Sequence, residues 1–332
     1  MATRENRVTL EDVAAATGFS RALVSIVMRN APGASEVTRQ RVKDAANKLG
    51  YKPDVHARAL ASIESKTIGV VFGVAGSFHL KLLDGLYSAA EKHGFNLILS
   101  AVTPARDEAK AVESLQNFIL AGLIMLGPAR KSVPASTKFP VAVIGWELPD
   151  GTVDSVQTSD EAGMHLAVAH LARLGHSAIA HIDGGDGLIA VSRAKAYAKA
   201  MIANGLEANI LVIAAGESSI DGQRAADAVI QMADRPTAII AYNDDVAIAA
   251  STHLMYAGIS IPGDISVIGW DDSELATASE IPLTSVRQEP ELMARLAFER
   301  VLERLAEPNG NFQSIVLEPQ LVIRASTGKH KY

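Results

Sequence analysis

Thr9-Leu10-Glu11-Asp12-Val13-Ala14-Ala15-Ala16-Thr17-Gly18-Phe19-Ser20-Arg21-Ala22-Leu23-Val24-Ser25-Ile26-Val27-Met28 is the stretch that sets the fold of the chain's beginning. Thr9 is a good N-cap, and Leu10, Val13 and Ala14 follow at helical spacing. Gly18 supplies the left-handed residue that stops this helix. Ser20 caps a second helix whose apolar face is Val24, Val27 and Met28. Only Thr17, Gly18 and Phe19 lie between the two, the linker length of a helix-turn-helix. A third helix is expected from Ser35 to Leu49, with Val42, Ala45, Ala46 and Leu49 facing the first two and Gly50 ending it. A helix-turn-helix reads the major groove with the N-terminal part of its second helix, here Arg21, Ala22, Ser25 and Ile26. Arg21 suits bidentate bonding to guanine, and Ala22 or Ile26 suits a thymine methyl. Arg29, Arg39 and Arg41 are better placed for phosphates. The plainer alternative is a three-helix bundle whose second helix is merely exposed.

Charge separates this head from the rest of the chain. The 332 residues carry a net −6, yet residues 1–62 hold ten Lys and Arg against six Asp and Glu, net +4, leaving −10 on the remainder. A basic head on an acidic body is the asymmetry of a DNA reader joined to a regulatory domain. The chain has no cysteine, which rules out disulfides, thiolate metal sites and a Cys nucleophile. No apolar run approaches 18 residues and no signal core follows the N-terminus, so a cytoplasmic protein without membrane contact is expected.

After the head, Pro53 and Asp54 precede Val55-His56-Ala57-Arg58-Ala59-Leu60, about one and a half helical turns, and residues 61–67 read as a linker. So short a helix is marginal alone and would order on a partner. A solvated linker with Leu60 packed on the core is the alternative. From residue 68, short β-branched runs alternate with helical stretches: Ile68–Phe72, Leu97–Ser100, Gly122–Leu126 and Val141–Ile144 as strands, with helices at Leu80–Lys92 and Asp107–Leu120. The rhythm restarts after residue 158, with strands near 178–182, 210–213, 238–241 and 267–269 spaced by helices at 160–174, 192–204, 222–232 and 245–257. This alternation makes two doubly wound parallel lobes. Ligands of such folds bind beyond the strand C-termini.

Those strand ends hold Trp146, Glu147, Ser159, Asp160, Asp183, Asn243, Asp244, Trp270, Asp271 and Gln288. Two indoles beside amides and carboxylates suit a sugar, although strand ends attract polar residues anyway and either Trp serves equally as packing. Gly184-Gly185-Asp186-Gly187 lacks the Lys and Ser/Thr of a phosphate loop, no GxSxG elbow occurs, and the nine histidines show no metal spacing. No catalytic residue, metal or cofactor is expected.

The strings Val8–Ala14, Thr17–Ser20, Val24-Ser25, Val37–Val42 and Leu49–Pro53 resemble, nearly residue by residue, the DNA-binding head of the lactose/galactose repressor family. The resemblance continues through Leu171–His176, Arg193, Arg235–Ile239, Asn243-Asp244, Ile261–Asp272 and Pro282–Gln288, to about Thr327. It implies an α/β protein: a helix-turn-helix head (1–52), a hinge helix and linker (53–67), and a two-lobed periplasmic-binding-protein-like core. The lobes are expected at 68–158 with 288–326 and at 159–287. It implies DNA contacts from Thr9, Ser20, Arg21, Ala22, Ser25, Ile26 and Arg29, with hinge contacts from Val55 and Ala59 and a minor-groove wedge from Leu60. Effector contacts map onto Arg193, Asn243 and Asp271, with Phe78, Trp146, Asp160, Trp270 and Gln288 nearby. Leu23, Ile26 and Arg29 depart from the family's usual Thr, basic residue and Asn on the reading face. The pocket departs too, with Gly76-Ser77-Phe78 for Asn-Pro-Phe, Ser159-Asp160 for Asp-Asn, Gly145-Trp146 for Asp-Arg, and no aromatic over residues 215–222, where Glu217 stands.

The expectation is an effector-controlled transcription regulator, a repressor, that binds a near-palindromic double-stranded operator as a homodimer and is governed by a small metabolite, a sugar or derivative. A solute-binding module without a gene-regulatory role is the first rival, and an enzyme on the doubly wound sheet is the second.

Overall fold

A computed structural model of the chain describes residues 8–28, 32–49, 51, 65–74, 76–103, 105–127, 139–148 and 151–330. Two compact units divide it, Met1–Ser65 and Lys66–Tyr332. Arg29, Val55, Ala59 and Leu60, and with them nearly all of the expected hinge, lie outside the described residues.

The first unit holds α1 (Leu10–Thr17), α2 (Arg21–Met28) and α3 (Glu36–Leu49). Thr9 and Asp12 form a reciprocal capping box: the Asp12 N–H donates to Thr9 Oγ1 (3.3 Å), and the Thr9 N–H donates to Asp12 Oδ2 (2.7 Å). Gly18 takes φ +73° and its N–H donates to the Ala14 carbonyl, closing α1. Ser20 Oγ accepts from the Leu23 N–H at 3.2 Å and caps the start of α2. Val13, Val24, Val27, Val42 and Ala46 form the buried centre, with Phe19, Ala45 and Tyr51 against it. Leu49 does not face α1 and α2 as its spacing suggests; at the last position of α3 it turns to solvent, 39% exposed.

The second unit begins with β1 (Thr67–Gly73), α4 (Ser77–His93), β2 (Asn96–Val102), α5 (Glu108–Leu115), β3 (Gly122–Leu126), β4 (Val141–Ile144) and β5 (Asp154–Thr158). It continues with α6 (Asp160–Arg173), β6 (Ile179–Ile182), α7 (Leu188–Ala203), β7 (Leu211–Ile213), α8 (Ser219–Gln231), β8 (Ala238–Ala241), α9 (Asp244–Tyr256) and β9 (Ser266–Asp271). Last come α10 (Glu274–Ala278), β10 (Thr284–Arg287), α11 (Pro290–Ala306), β11 (Ser314–Leu317) and β12 (Gln320–Val322). The first sheet has the order β11-β5-β4-β3-β1-β2 and is parallel throughout. The second has the order β12-β10-β9-β8-β6-β7, with β12 antiparallel to β10. Central strands β3, β4, β6 and β8 are buried at every position, as helices on both faces of a parallel sheet require.

One expected boundary is corrected. Residues 288–326 do not all belong to the first lobe, because Gln320–Val322 pairs with β10 in the second sheet. Thr327 and Gly328 then bond to His170 and His176 of that lobe. The physical reason is the open edge of β10, whose unpaired backbone groups β12 covers. The expected helix 107–120 is also shorter, ending at Leu115.

Candidate functional site

Strands β6, β8, β9 and β10 end at one edge of the second sheet, and the polar residues beyond them converge on Arg193. Arg193 lies on the second turn of α7 and is only 6% exposed. Its guanidinium sits 4.8 Å from the Tyr242 ring centroid and 4.3 Å from that of Trp270. Each ring rests on a glycine. A Cβ on Gly184 would stand 2.4 Å from Tyr242 Cδ2, and one on Gly163 would stand 2.4 Å from Trp270 Cη2. The glycine run at 184–187 therefore admits a tyrosine. Arg193 Nε donates to Asp160 Oδ1 at 3.0 Å and Nη1 to the Tyr242 carbonyl at 2.6 Å. Burial works against the arginine's charge, but Asp160, Tyr242 and Asp271 more than restore it, so its pKa stands above the ordinary value.

Asp271 ends β9 with φ +106°, a conformation rarely held by residues with a side chain. It accepts a hydrogen bond from Gln288 Nε2 at 2.7 Å. Burial pushes its carboxyl up to about 8; the nearby Arg193 opposes this and Asp244 adds to it. Asp244, behind it, is 1% exposed and accepts from Ser285 Oγ at 2.6 Å and the Ser273 N–H at 2.7 Å. Burial raises Asp244 to about 6 against those bonds. Asn243 caps α9 through Oδ1, which accepts from the Val246 N–H at 2.8 Å. Its Nδ2 donates to the Glu217 carbonyl at 3.0 Å and so fixes the loop before α8.

The first lobe supplies the opposite wall. Phe78 and His79 stand at the start of α4, and His79 Nε2 donates to the Gly127 carbonyl at 2.9 Å. Ile189 of α7 reaches across to the first lobe's glycines. A Cβ on Gly127 or Gly145 would lie 2.8 or 3.1 Å from Ile189 Cδ1. Together these walls border a cavity of about 60 Å³.

Of the residues singled out from the sequence, Phe78, Arg193, Asn243, Asp271 and Gln288 line this cavity together. Asp160 does not line it and stands behind Arg193 as its ion partner. Neither indole lines it. Trp270 is fully buried beneath Arg193, and Trp146, 3% exposed, packs in the first lobe's core behind Gly127. Glu217, named from the sequence as a departure in the pocket wall, lines the cavity too; sequence reasoning missed His79, Ile189 and Tyr242 as lining residues. Tyr242 carried a signal, since it directly precedes Asn243 at a strand end; Ile189 carried none. Among the described residues no group of His, Asp and Glu is arranged to hold a metal ion, and no helix is long and apolar enough to cross a membrane.

On the first unit, Arg21 and Ala22 are exposed at the start of α2, with Ser25 and Ile26 half-buried one turn on. Arg21 Nη1 lies 3.4 Å from Glu11 Oε1, and both side chains are more than two-thirds exposed. Thr9 and Ser20 spend their hydroxyls on the caps of α1 and α2. A larger groove, about 460 Å³, lies on the outer face of the second lobe between α8, α9 and α10. Tyr256 (87% exposed) and Leu275 (48%) stand on it.

Comparison with known proteins agrees with both units. Residues 9–54 match the bacterial regulatory proteins of the lacI family, and residues 168–327 match a periplasmic binding protein-like domain. The HTH-type transcriptional repressor PurR of Vibrio atlanticus is 30% identical over 327 residues, covering 96% of this chain and 98% of that protein. The crystal structure of the lac repressor dimer bound to operator and the anti-inducer ONPF superposes with a TM-score of 0.85 at 27% identity, covering 97% of this chain and 100% of that one. A LacI family transcriptional regulator from Enterococcus faecium with bound ribose gives 0.70 at 25% identity, covering 80% and 100%. The chain belongs to the lacI family of bacterial transcription regulators.

Proposed function

We propose that this protein is a cytoplasmic, effector-responsive transcriptional repressor that works by binding rather than turnover. As a homodimer it holds a near-palindromic operator through the head (1–52), with Arg21, Ala22, Ser25 and Ile26 toward base edges and Arg29 toward phosphate. The hinge (53–67) places Val55, Ala59 and Leu60 in the minor groove. A second copy docks on the groove where Tyr256 and Leu275 stand exposed. The effector occupies the cavity at Arg193, Asn243, Asp271 and Gln288. A sugar or sugar derivative is favoured by the mix of fixed donors, carboxylate acceptors and the flat Phe78 face, and by ribose in a relative. The observation that carries the reading is the pairing, on one chain, of an exposed reading helix with a buried polar cleft between two lobes. Lobe closure on the effector changes operator affinity by a coupling of about 1–3 kcal/mol.

Selection from random duplex DNA, with the full chain beside residues 66–332, tests this. A palindrome enriched by the full chain alone is expected. Enrichment of no sequence by the full chain, with effector binding retained, would favour a binding protein without a gene-regulatory role.

A further inference from the structure

Helix α7 packs into both lobes. Its first two residues, Leu188 and Ile189, are half-buried against the first-lobe core that contains Met125, Val143 and Trp146. Its later residues Ala196, Tyr197, Ala200 and Met201 belong to the second lobe's core with Trp270. The Ile189 Cδ1 methyl enters a notch between two glycines, since a Cβ on Gly127 would lie 2.8 Å from it and one on Gly145 3.1 Å. Gly145 has φ +97°, which favours glycine on backbone grounds alone. Gly127 is not in the left-handed region, so the room it leaves answers to the methyl that fills it. Elsewhere on the rim the lobes approach through a polar group, where a Cβ on Gly76 would lie 3.2 Å from Asp245 Oδ2.

The position of this contact gives it leverage. The chain crosses between the lobes after β5, β10 and β11, which lie toward one edge of each sheet. Helix α5, which shares the core that Ile189 joins, packs on β1 and β2 toward the opposite edge. Ile189 and Arg193 stand four residues apart on one face of α7, so the helix that carries the cavity's guanidinium is also the one anchored in the other lobe. We infer that Leu188 and Ile189 are a built-in latch: the lobes close on the chain's own apolar contact, without a ligand, and the closed form is the resting state of the free protein. The latch stands independently of the cavity's role, whereas its effect on operator binding rests on the function proposed above.

The test is the distance between spin labels on Glu113→Cys of α5 and Lys195→Cys of α7, read by double electron–electron resonance on the full chain with no sugar added. Both positions are exposed, and a chain without cysteine takes label nowhere else. A single short distance is expected. Leu188→Ala with Ile189→Ala should lower the closed-to-open ratio about tenfold or more and bring up a longer distance. Gly127→Ala, which drives a methyl into the space of Ile189 Cδ1, should also open the lobes. Ile189→Val gives up that Cδ1, so Gly127→Ala combined with it should return to the short distance. A merely structural role for these residues would not produce that rescue. A long distance in the otherwise wild-type chain, a short one kept by Leu188→Ala with Ile189→Ala or by Gly127→Ala alone, or no rescue by Ile189→Val would each overturn the inference. Operator affinity of the same variants separates the latch from the proposed function. A change of about fivefold or more is expected where the lobes open. Lobes that open with operator affinity unchanged would leave the latch standing and overturn the coupling of closure to the head.

Discussion

Two aspartates, buried Asp154 in the first lobe and half-buried Asp271 in the second, meet arginine in opposite ways. Asp154 of β5 is 1% exposed and saturated. Its Oδ1 accepts from Arg300 Nε and Nη2 (3.2 and 2.9 Å) and from the Gln313 N–H (3.0 Å). Its Oδ2 accepts from Arg304 Nε and Nη2 (3.1 and 2.9 Å). Five donors clamp one carboxylate and tie β5 to α11 and to the start of β11. Asp271 is half-buried at the end of β9; among the described residues its carboxylate accepts from Gln288 alone, its backbone is strained, and desolvation drives its pKa upward. A buried acid whose work is structural has its lone pairs filled by the fold. On the proposed reading of the cavity, Asp271 is left with lone pairs that the fold does not fill. The contrast separates scaffold from site without reference to any relative.

The comparison breaks most sharply at Asp154. Asp154→Ala takes the paired carboxylate from buried Arg304 and leaves buried Arg300 with Glu303 alone, and should destabilise the chain by about 3–5 kcal/mol in urea unfolding. A loss below about 1 kcal/mol would mean the clamp is dispensable. Gly163→Ala attacks the seat of Arg193 instead, driving a methyl into the Trp270 ring, and should cost about 1–3 kcal/mol with weakened effector binding. Isothermal titration and thermal unfolding together read both effects.

Asp271→Asn sharpens the contrast through pH. A carboxyl whose folded pKa is raised from 3.8 to about 8 favours the folded state at low pH. That contribution is lost as pH rises through this window. Buried His181, lowered to about 4 by burial, acts with the opposite sign: its contribution is whole above about 6.5 and is lost as pH falls toward 4. Between about pH 4 and 6.5 these two slopes oppose one another, and above about 6.5 Asp271 acts alone, so wild-type melting temperature should decline as pH rises from about 6.5 to about 8. Asp271→Asn should flatten the alkaline limb alone and abolish effector binding. An unchanged alkaline limb would remove Asp271 from the role given to it. Glu11→Gln should do least. The exposed pair with Arg21 holds no more than about 0.5 kcal/mol of stability, so urea midpoints should coincide, while operator affinity should rise slightly as Arg21 is released.

Where order is local, the sequence shows it. The N-cap at Thr9, the left-handed Gly18 and the cap at Ser20 place α1 and α2, and the expected helix from Ser35 to Leu49 lies within a residue of the observed α3. Strands Gly122–Leu126, Val141–Ile144 and Ala238–Ala241 stand out as short apolar runs between helical stretches. β5 does not, because Asp154-Ser155-Val156-Gln157-Thr158 is mostly polar. Its polar groups are satisfied by Arg300, Arg304 and Ser314, about 150 residues downstream, and no local pattern carries that. β12 is misplaced by sequence reasoning for a similar reason, since three residues of strand declare nothing about which sheet edge they will cover. In the site, the polar residues past each strand are legible as a set. The two tryptophans mislead, because scarcity suggests exposure to ligand while Trp270 and Trp146 are buried as packing. Ile189 and His79 reach the cavity only because the two lobes face each other there.

The most direct measurement is operator affinity of wild type and Arg193→Ala, by fluorescence anisotropy with the selected palindrome, with and without the effector. Equal affinities without effector, and a response to effector in the wild type alone, are expected. An Arg193→Ala protein that still answers the effector would contradict the central claim that this cleft controls the DNA-binding head.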